Sequence, residues 1–138
     1  MSRIMAIDYG EKRTGVAVTD PAQIIANGLT TVSTSELLRF IQDYIKKESV
    51  ERFVIGQPKQ MSGENSENAG RVISFISKLR VAFPDIPVES YDERFTSRLA
   101  HQTMLDGGLK KMARRNKALV DEISATIILQ SYMESKRI

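Results

Sequence analysis

The stretch AIDYGEKRTGVAVTD (residues 6–20) closes one strand-like run on a carboxylate and opens another six residues later. Residues 3–7 (RIMAI) and 14–19 (TGVAVT) have the apolar, small and β-branched composition of strands, so the two read as strands joined by a short turn. That turn carries Asp8, Gly10, Lys12 and Arg13. Small polar residues are enough to make a turn; an acid at the strand end, followed by a basic pair, asks for a further reason. Asp8 has one if other carboxylates come to meet it.

Working outward, residues 24–32 (IIANGLTTV) read as a third strand. Ser33 and Glu36 have the spacing of a capping box, which predicts a helix whose face is Leu37, Leu38, Phe40, Ile41, Tyr44 and Ile45. Residues 52–56 (RFVIG) form a short buried strand, cut by a polar Gly- and Pro-containing stretch. A second amphipathic helix is expected over residues 65–81, with Val72, Ile73, Phe75, Ile76 and Leu79 inward, and then a strand at 86–91. Thr96 is placed to cap a helix that runs to about residue 106 and ends at Gly107-Gly108. Residues 118–135 make the last helix. The order β-β-β-α-β-α-β-α, without repeat or linker, predicts one α/β domain over residues 1–138, a mixed five-stranded sheet flanked by helices.

The length of 138 residues suits a single core, and 41% apolar with 27% charged residues excludes bulk disorder. With no cysteine, disulfides and thiolate metal sites are excluded, in keeping with a reducing cytoplasm. The N-terminus has too few apolar residues for a signal peptide, and no run has transmembrane length. The expectation is a soluble cytoplasmic protein with no membrane partner. A formal charge of +3 does not by itself show a nucleic-acid partner. The distribution says more: residues 110–117 (KKMARRNK) gather Lys110, Lys111, Arg114, Arg115 and Lys117 with no acid among them. A solvated surface and a phosphate track are both open readings of that run.

In sheets of this kind ligands collect where strands end. Asp8 ends the first strand, Asp92 and Glu93 end the last, and Asp121 stands one turn into the final helix among Leu119, Val120, Ile123 and Ala125. Singly, these are a turn residue, partners for Arg94, and an acid near a helix N-terminus. An acid among apolar neighbours needs a cation partner. Together, without Cys and with His101 as the one histidine, they make an oxygen-only set suited to Mg²⁺ or Mn²⁺ rather than zinc.

Four ordered motifs then carry a resemblance over essentially the whole chain. Residues 6–20 fit the pattern Asp-x-Gly-x-Lys-x-x-Gly-x-Ala, and residues 55–67 (IGQPKQMSGENSE) carry a Gly-x-Pro loop followed by Met61 and Gly63. Residues 91–97 (YDERFTS) hold Asp-Glu-Arg-x-Thr, and residues 116–132 (NKALVDEISATIILQSY) form the closing helix. The chain resembles the YqgF (RuvX) family of the ribonuclease H-like superfamily. That family is grouped with Holliday junction resolvases and is mostly described as nucleases that mature the precursor of 16S ribosomal RNA.

The resemblance implies a ribonuclease H-like fold and Asp8, Glu93 and Asp121 as catalytic, metal-binding acids, with Asp92 as the alternative to Glu93. Phosphate contacts are expected from Lys59 and Arg94 within those motifs, and nucleic-acid contacts also from Lys12, Arg13 and the 110–117 run. Lys59 and Glu11 depart from the apolar and small hydroxyl residues that the family often has there. The function it implies is metal-dependent phosphodiester hydrolysis in maturation of the pre-16S rRNA 5′ end. The alternatives are resolution of branched DNA, by a two-fold dimer rather than a monomer, and non-catalytic RNA binding. An actin-like ATPase reading fails, because a second phosphate loop and a second domain are missing. A pure binding factor has no use for three converging negative charges, which repel the phosphate backbone unless a metal is present.

Overall fold

The computed structural model describes residues 2–57, 67–92 and 117–136, with the backbone alone at 67, 68 and 117–120. Its strands are β1 (Arg3–Asp8), β2 (Arg13–Thr19), β3 (Ala26–Ser33), β4 (Val50–Gln57) and β5 (Val88–Asp92). Its helices are α1 (Leu37–Lys47), α2 (Glu67–Ala82) and α3 (Lys117–Lys136). The strands form one mixed sheet in the order β3-β2-β1-β4-β5. β1, β2 and β3 pair antiparallel; β1–β4 and β4–β5 pair parallel. Parallel neighbours need crossover connections, here containing α1 and α2. The mixed five-stranded sheet expected from the sequence is the one observed.

Side chains alternate across the sheet, so each strand feeds two cores. Met5, Ile7, Phe53 and Ile55 pack with Leu37 and Ile41 of α1 and with Val72, Phe75, Ile76 and Leu79 of α2. On the opposite face Ala6, Ala17 and Val54 pack with Ala125, Ile128, Leu129, Tyr132 and Met133 of α3. The small residues on this second face let α3 lie close to the central strands. Its residues 125–129 and 131–133 are all buried, as expected of a helix apolar around much of its circumference. No helix among the described residues is long and apolar enough to cross a membrane.

The differences from the sequence reading are local. The capping box does not form: neither Ser33 nor Glu36 makes a side-chain cap bond, and Thr34–Glu36 is a single 3-10 turn ahead of α1. Thr34 takes the polar role instead, described below. Ile73 is 52% exposed, on the outer face of α2 with Val81, whereas the four other residues expected inward are buried. β3 begins at Ala26 because the amides of Ile24 and Ile25 both donate to the Asp20 carboxylate (2.7 Å each), closing a turn. β5 begins at Val88 because the Ile86 amide donates to the Phe83 carbonyl (3.1 Å). The helix expected over residues 96–106 lies outside the described residues.

Candidate active site

A missing side chain sets the face on which two of the acids stand. Asp8, the last residue of β1, is the cross-strand partner of Gly15 in β2. In antiparallel pairing such partners have Cα atoms about 4.5–5.5 Å apart and share a face. Here it is the face of Ala6 and Ala17, the one that α3 covers. A Cβ on Gly15 would lie 1.9 Å from the carbonyl oxygen of Asp121 and 2.9 Å from the amide nitrogen of Glu122. The backbone of α3 therefore rests directly on β2 at Gly15. Asp121, the fifth residue of α3, stands on the side of the sheet to which Asp8 belongs.

Arg13, two residues before Gly15 and on the same face, donates from Nε to Oδ2 of Asp121 at 2.8 Å. The Asp121 side chain is 26% exposed and that of Arg13 is 45% exposed. Asp121 thus has a cation partner within the chain, and it is a residue expected to contact nucleic acid.

The turn between β1 and β2 is fastened from two sides. The Thr34 hydroxyl donates to the Gly10 carbonyl (2.7 Å) and lies 2.9 Å from the buried Thr14 hydroxyl, which therefore donates to it. The Thr34 amide donates to the Lys12 carbonyl (3.0 Å). From the α2 side, the Tyr9 ring stacks on Phe75 with centroids 4.9 Å apart, and Glu11 pairs with Arg71 at 3.6 Å. Glu11, which departs from the family pattern, thus ties the turn to α2. Lys12 is exposed on the same turn.

Asp92 is the last residue of β5 and pairs with Gln57 of β4. Alternation gives it the parity of Val88, which packs on the α1/α2 core, whereas Tyr91 packs on the α3 side. Glu93, Lys59, Arg94, Lys110, Lys111, Arg114 and Arg115 lie outside the described residues, and Lys117 contributes backbone alone. Among the described residues no three His, Cys, Asp or Glu side chains form a metal-binding group.

A second polar cluster, not foreseen from the sequence, sits toward the other end of α3. Arg52 donates from Nη1 to the Tyr132 hydroxyl (2.8 Å) and pairs with Glu89 (3.3 Å), and the Tyr132 hydroxyl donates to Glu89. The bond from Tyr132 holds the Glu89 carboxyl below its usual value, while burial pushes the Tyr132 phenol up. No sequence signal announces this cluster, since its three residues come from three distant segments. Gly15 and Thr34 were within reach of the sequence: the first is the second glycine of the opening motif, and the second lies beside a predicted cap.

The sheet order, with an acid ending the central strand and a second acid on the helix that covers it, defines a protein of the ribonuclease H-like class. The chain belongs to the RuvX family, described as Holliday junction resolvase, whose family model matches residues 2–135. A relative from Phocaeicola vulgatus is 69% identical over 99% of both chains, and one from Flavobacterium psychrophilum is 57% identical over 99% of both. Each carries the name "Putative pre-16S rRNA nuclease". Among solved structures, T. thermophilus RuvC in complex with Holliday junction substrate aligns over 99% of this chain and 97% of its own, with TM-score 0.59 and 16% identity. The fowlpox virus Holliday junction resolvase aligns over 96% and 98%, with TM-score 0.56 and 14% identity. At such identities the likeness is one of fold.

Proposed function

We propose that this chain is a cytoplasmic, divalent-metal-dependent endonuclease, one domain over residues 1–138, that hydrolyses phosphodiester bonds of structured nucleic acid in maturing the pre-16S rRNA 5′ end. The observation that carries the reading is the contact of α3 with Gly15, which sets Asp121 on the side of Asp8. The names of relatives 57–69% identical favour an RNA precursor. The resolvase neighbours, at 14–16% identity, speak for fold alone.

Asp8 and Asp121 fit a hard cation by chemistry: both offer carboxylate oxygens. Glu93 is the third acid in this reading. The alternation of β5, with Tyr91 toward α3 and Asp92 away from it, favours Glu93 over Asp92. Bound Mg²⁺ or Mn²⁺ supplies an activated water and charge stabilisation of the leaving oxygen. The chain's own part is to hold the acids on a rigid frame. Asp8 is fixed by the sheet and Asp121 by the helix contact. Lys12 and Arg13 set positive charge beside the acids, where it draws in a phosphate backbone.

Cleavage is expected to require Mg²⁺ or Mn²⁺. Purified protein incubated with matched RNA and branched-DNA substrates should lose activity in EDTA and regain it with either ion. Activity that survives exhaustive chelation, or that zinc alone restores, sinks the metal assignment. The RNA and DNA arms of the same assay decide the substrate.

The 110–117 run is the proposed track for substrate phosphates, because it leads in sequence into the helix that bears Asp121. Neutralising Lys110 and Lys111 together is expected to weaken binding whatever the sequence, and to flatten the slope of log affinity against log salt by roughly one to two units. An unchanged slope makes the run a solvated surface.

A further inference from the structure

The Arg13–Asp121 pair joins a residue at the start of β2 to one 108 positions away, and both backbones are held independently of it. Thr34 clamps the turn before Arg13, and the Gly15 contact fixes α3 at Asp121. The pair is therefore built into the frame, and the Nε hydrogen bond occupies Oδ2, one of the two oxygens Asp121 can offer. A guanidinium there opposes any second cation at the same carboxylate, by taking a ligand oxygen and by like-charge repulsion.

We propose that Arg13 is a resident counter-ion of Asp121, against which a divalent cation must compete, so that Arg13 sets the metal affinity of the free protein. The inference rests on the reading of Asp121 as a metal ligand. Arg13 acts here as a positioning residue: it holds the carboxylate and touches the metal only through it.

The test is Mn²⁺ titration of the full-length protein, without nucleic acid, by calorimetry or by the electron paramagnetic resonance of free Mn²⁺. Four proteins are compared: parent, Arg13→Gln, Arg13→Lys and Asp121→Asn. Arg13 is nearly half exposed, so its variants should melt close to the parent; melting curves check this. Arg13→Gln is expected to bind Mn²⁺ about fivefold tighter or more, the scale of a modest coupling between sites. Arg13→Lys, which keeps the charge, should stay nearer the parent. An affinity for Arg13→Gln that is unchanged or weaker overturns the proposal, and so does equal tightening by Arg13→Lys. Asp121→Asn separates the two levels. If it leaves Mn²⁺ binding intact, the metal-ligand reading itself fails. If it weakens binding while Arg13→Gln changes nothing, only the counter-ion role fails.

Discussion

Replacing Asp8 by Asn is expected to abolish cleavage while the protein folds and binds nucleic acid as before. Asn keeps the shape and one acceptor oxygen at the end of β1, and turns accept it as readily as Asp. What goes is the negative charge that anchors a cation. Metal stabilisation of a developing oxyanion is worth several kcal/mol, so the rate should fall on the order of 10²-fold or more. In the absence of metal, affinity for nucleic acid should hold or rise, because one repulsive charge beside the phosphates is removed. Thermal melting, equilibrium binding and turnover on the same Asp8→Asn preparation separate the possibilities. If Asp8 only closes a turn, all three stay at parental values. A folded variant that cleaves at the parental rate refutes the catalytic assignment.

Gly15→Ala is expected to damage stability and rate together, although it adds one uncharged methyl group and removes no polar atom. The added carbon would fall 1.9 Å from the Asp121 carbonyl oxygen and 2.4 Å from its carbonyl carbon. These are backbone atoms of a helix anchored by Ile128, Leu129 and Tyr132, so they have no rotamer by which to escape. Either α3 lifts by about 1.5 Å at this point or the strand bends; overpacking of this kind costs about 1–3 kcal/mol. The melting midpoint should drop by roughly 5–10 °C. A displacement of Asp121 on the scale of 1 Å should slow cleavage by about 10²-fold, even at temperatures where the variant is fully folded. A variant with parental melting and parental rate would show that strand and helix do not touch at residue 15.

The sequence carried the framework because the framework is periodic. Helical spacing in 37–45 and 72–79 reflects burial on one face, which leaves a repeating mark, while residues 14–19, buried on both faces, are marked by their small and β-branched composition. The acids at the ends of β1 and β5 were legible for a related reason: a charge that closes an apolar run stands out. The polar fastenings were not legible. Ser33 and Glu36 satisfy a local rule that hides Thr34, whose partners are Gly10 in the β1–β2 turn and Thr14 in β2. Four apolar residues in five (Val72, Ile73, Phe75 and Ile76) cannot all face one core, and spacing alone does not say that Ile73 is the one left out. The pairing of Arg13 with Asp121 was invisible for the same reason as the Arg52–Tyr132–Glu89 cluster. Contacts between distant segments are set by how α3 lies on the sheet, and no local pattern encodes that.

α3 is pinned at two places, by Arg13 and the Gly15 contact at Asp121 and by the Arg52–Glu89 pair at Tyr132. The pins are eleven residues apart, a lever arm of about 17 Å. A helix held in this way behaves as a beam fixed at both ends: with the Tyr132 pin as pivot, the contacts at Asp121 keep that end from swinging. A tilt of about 3° about the remote pin carries Asp121 through roughly 1 Å, the scale at which catalytic alignment is lost. The aim of the acid at one end of the helix is therefore set in part by a phenol at the other.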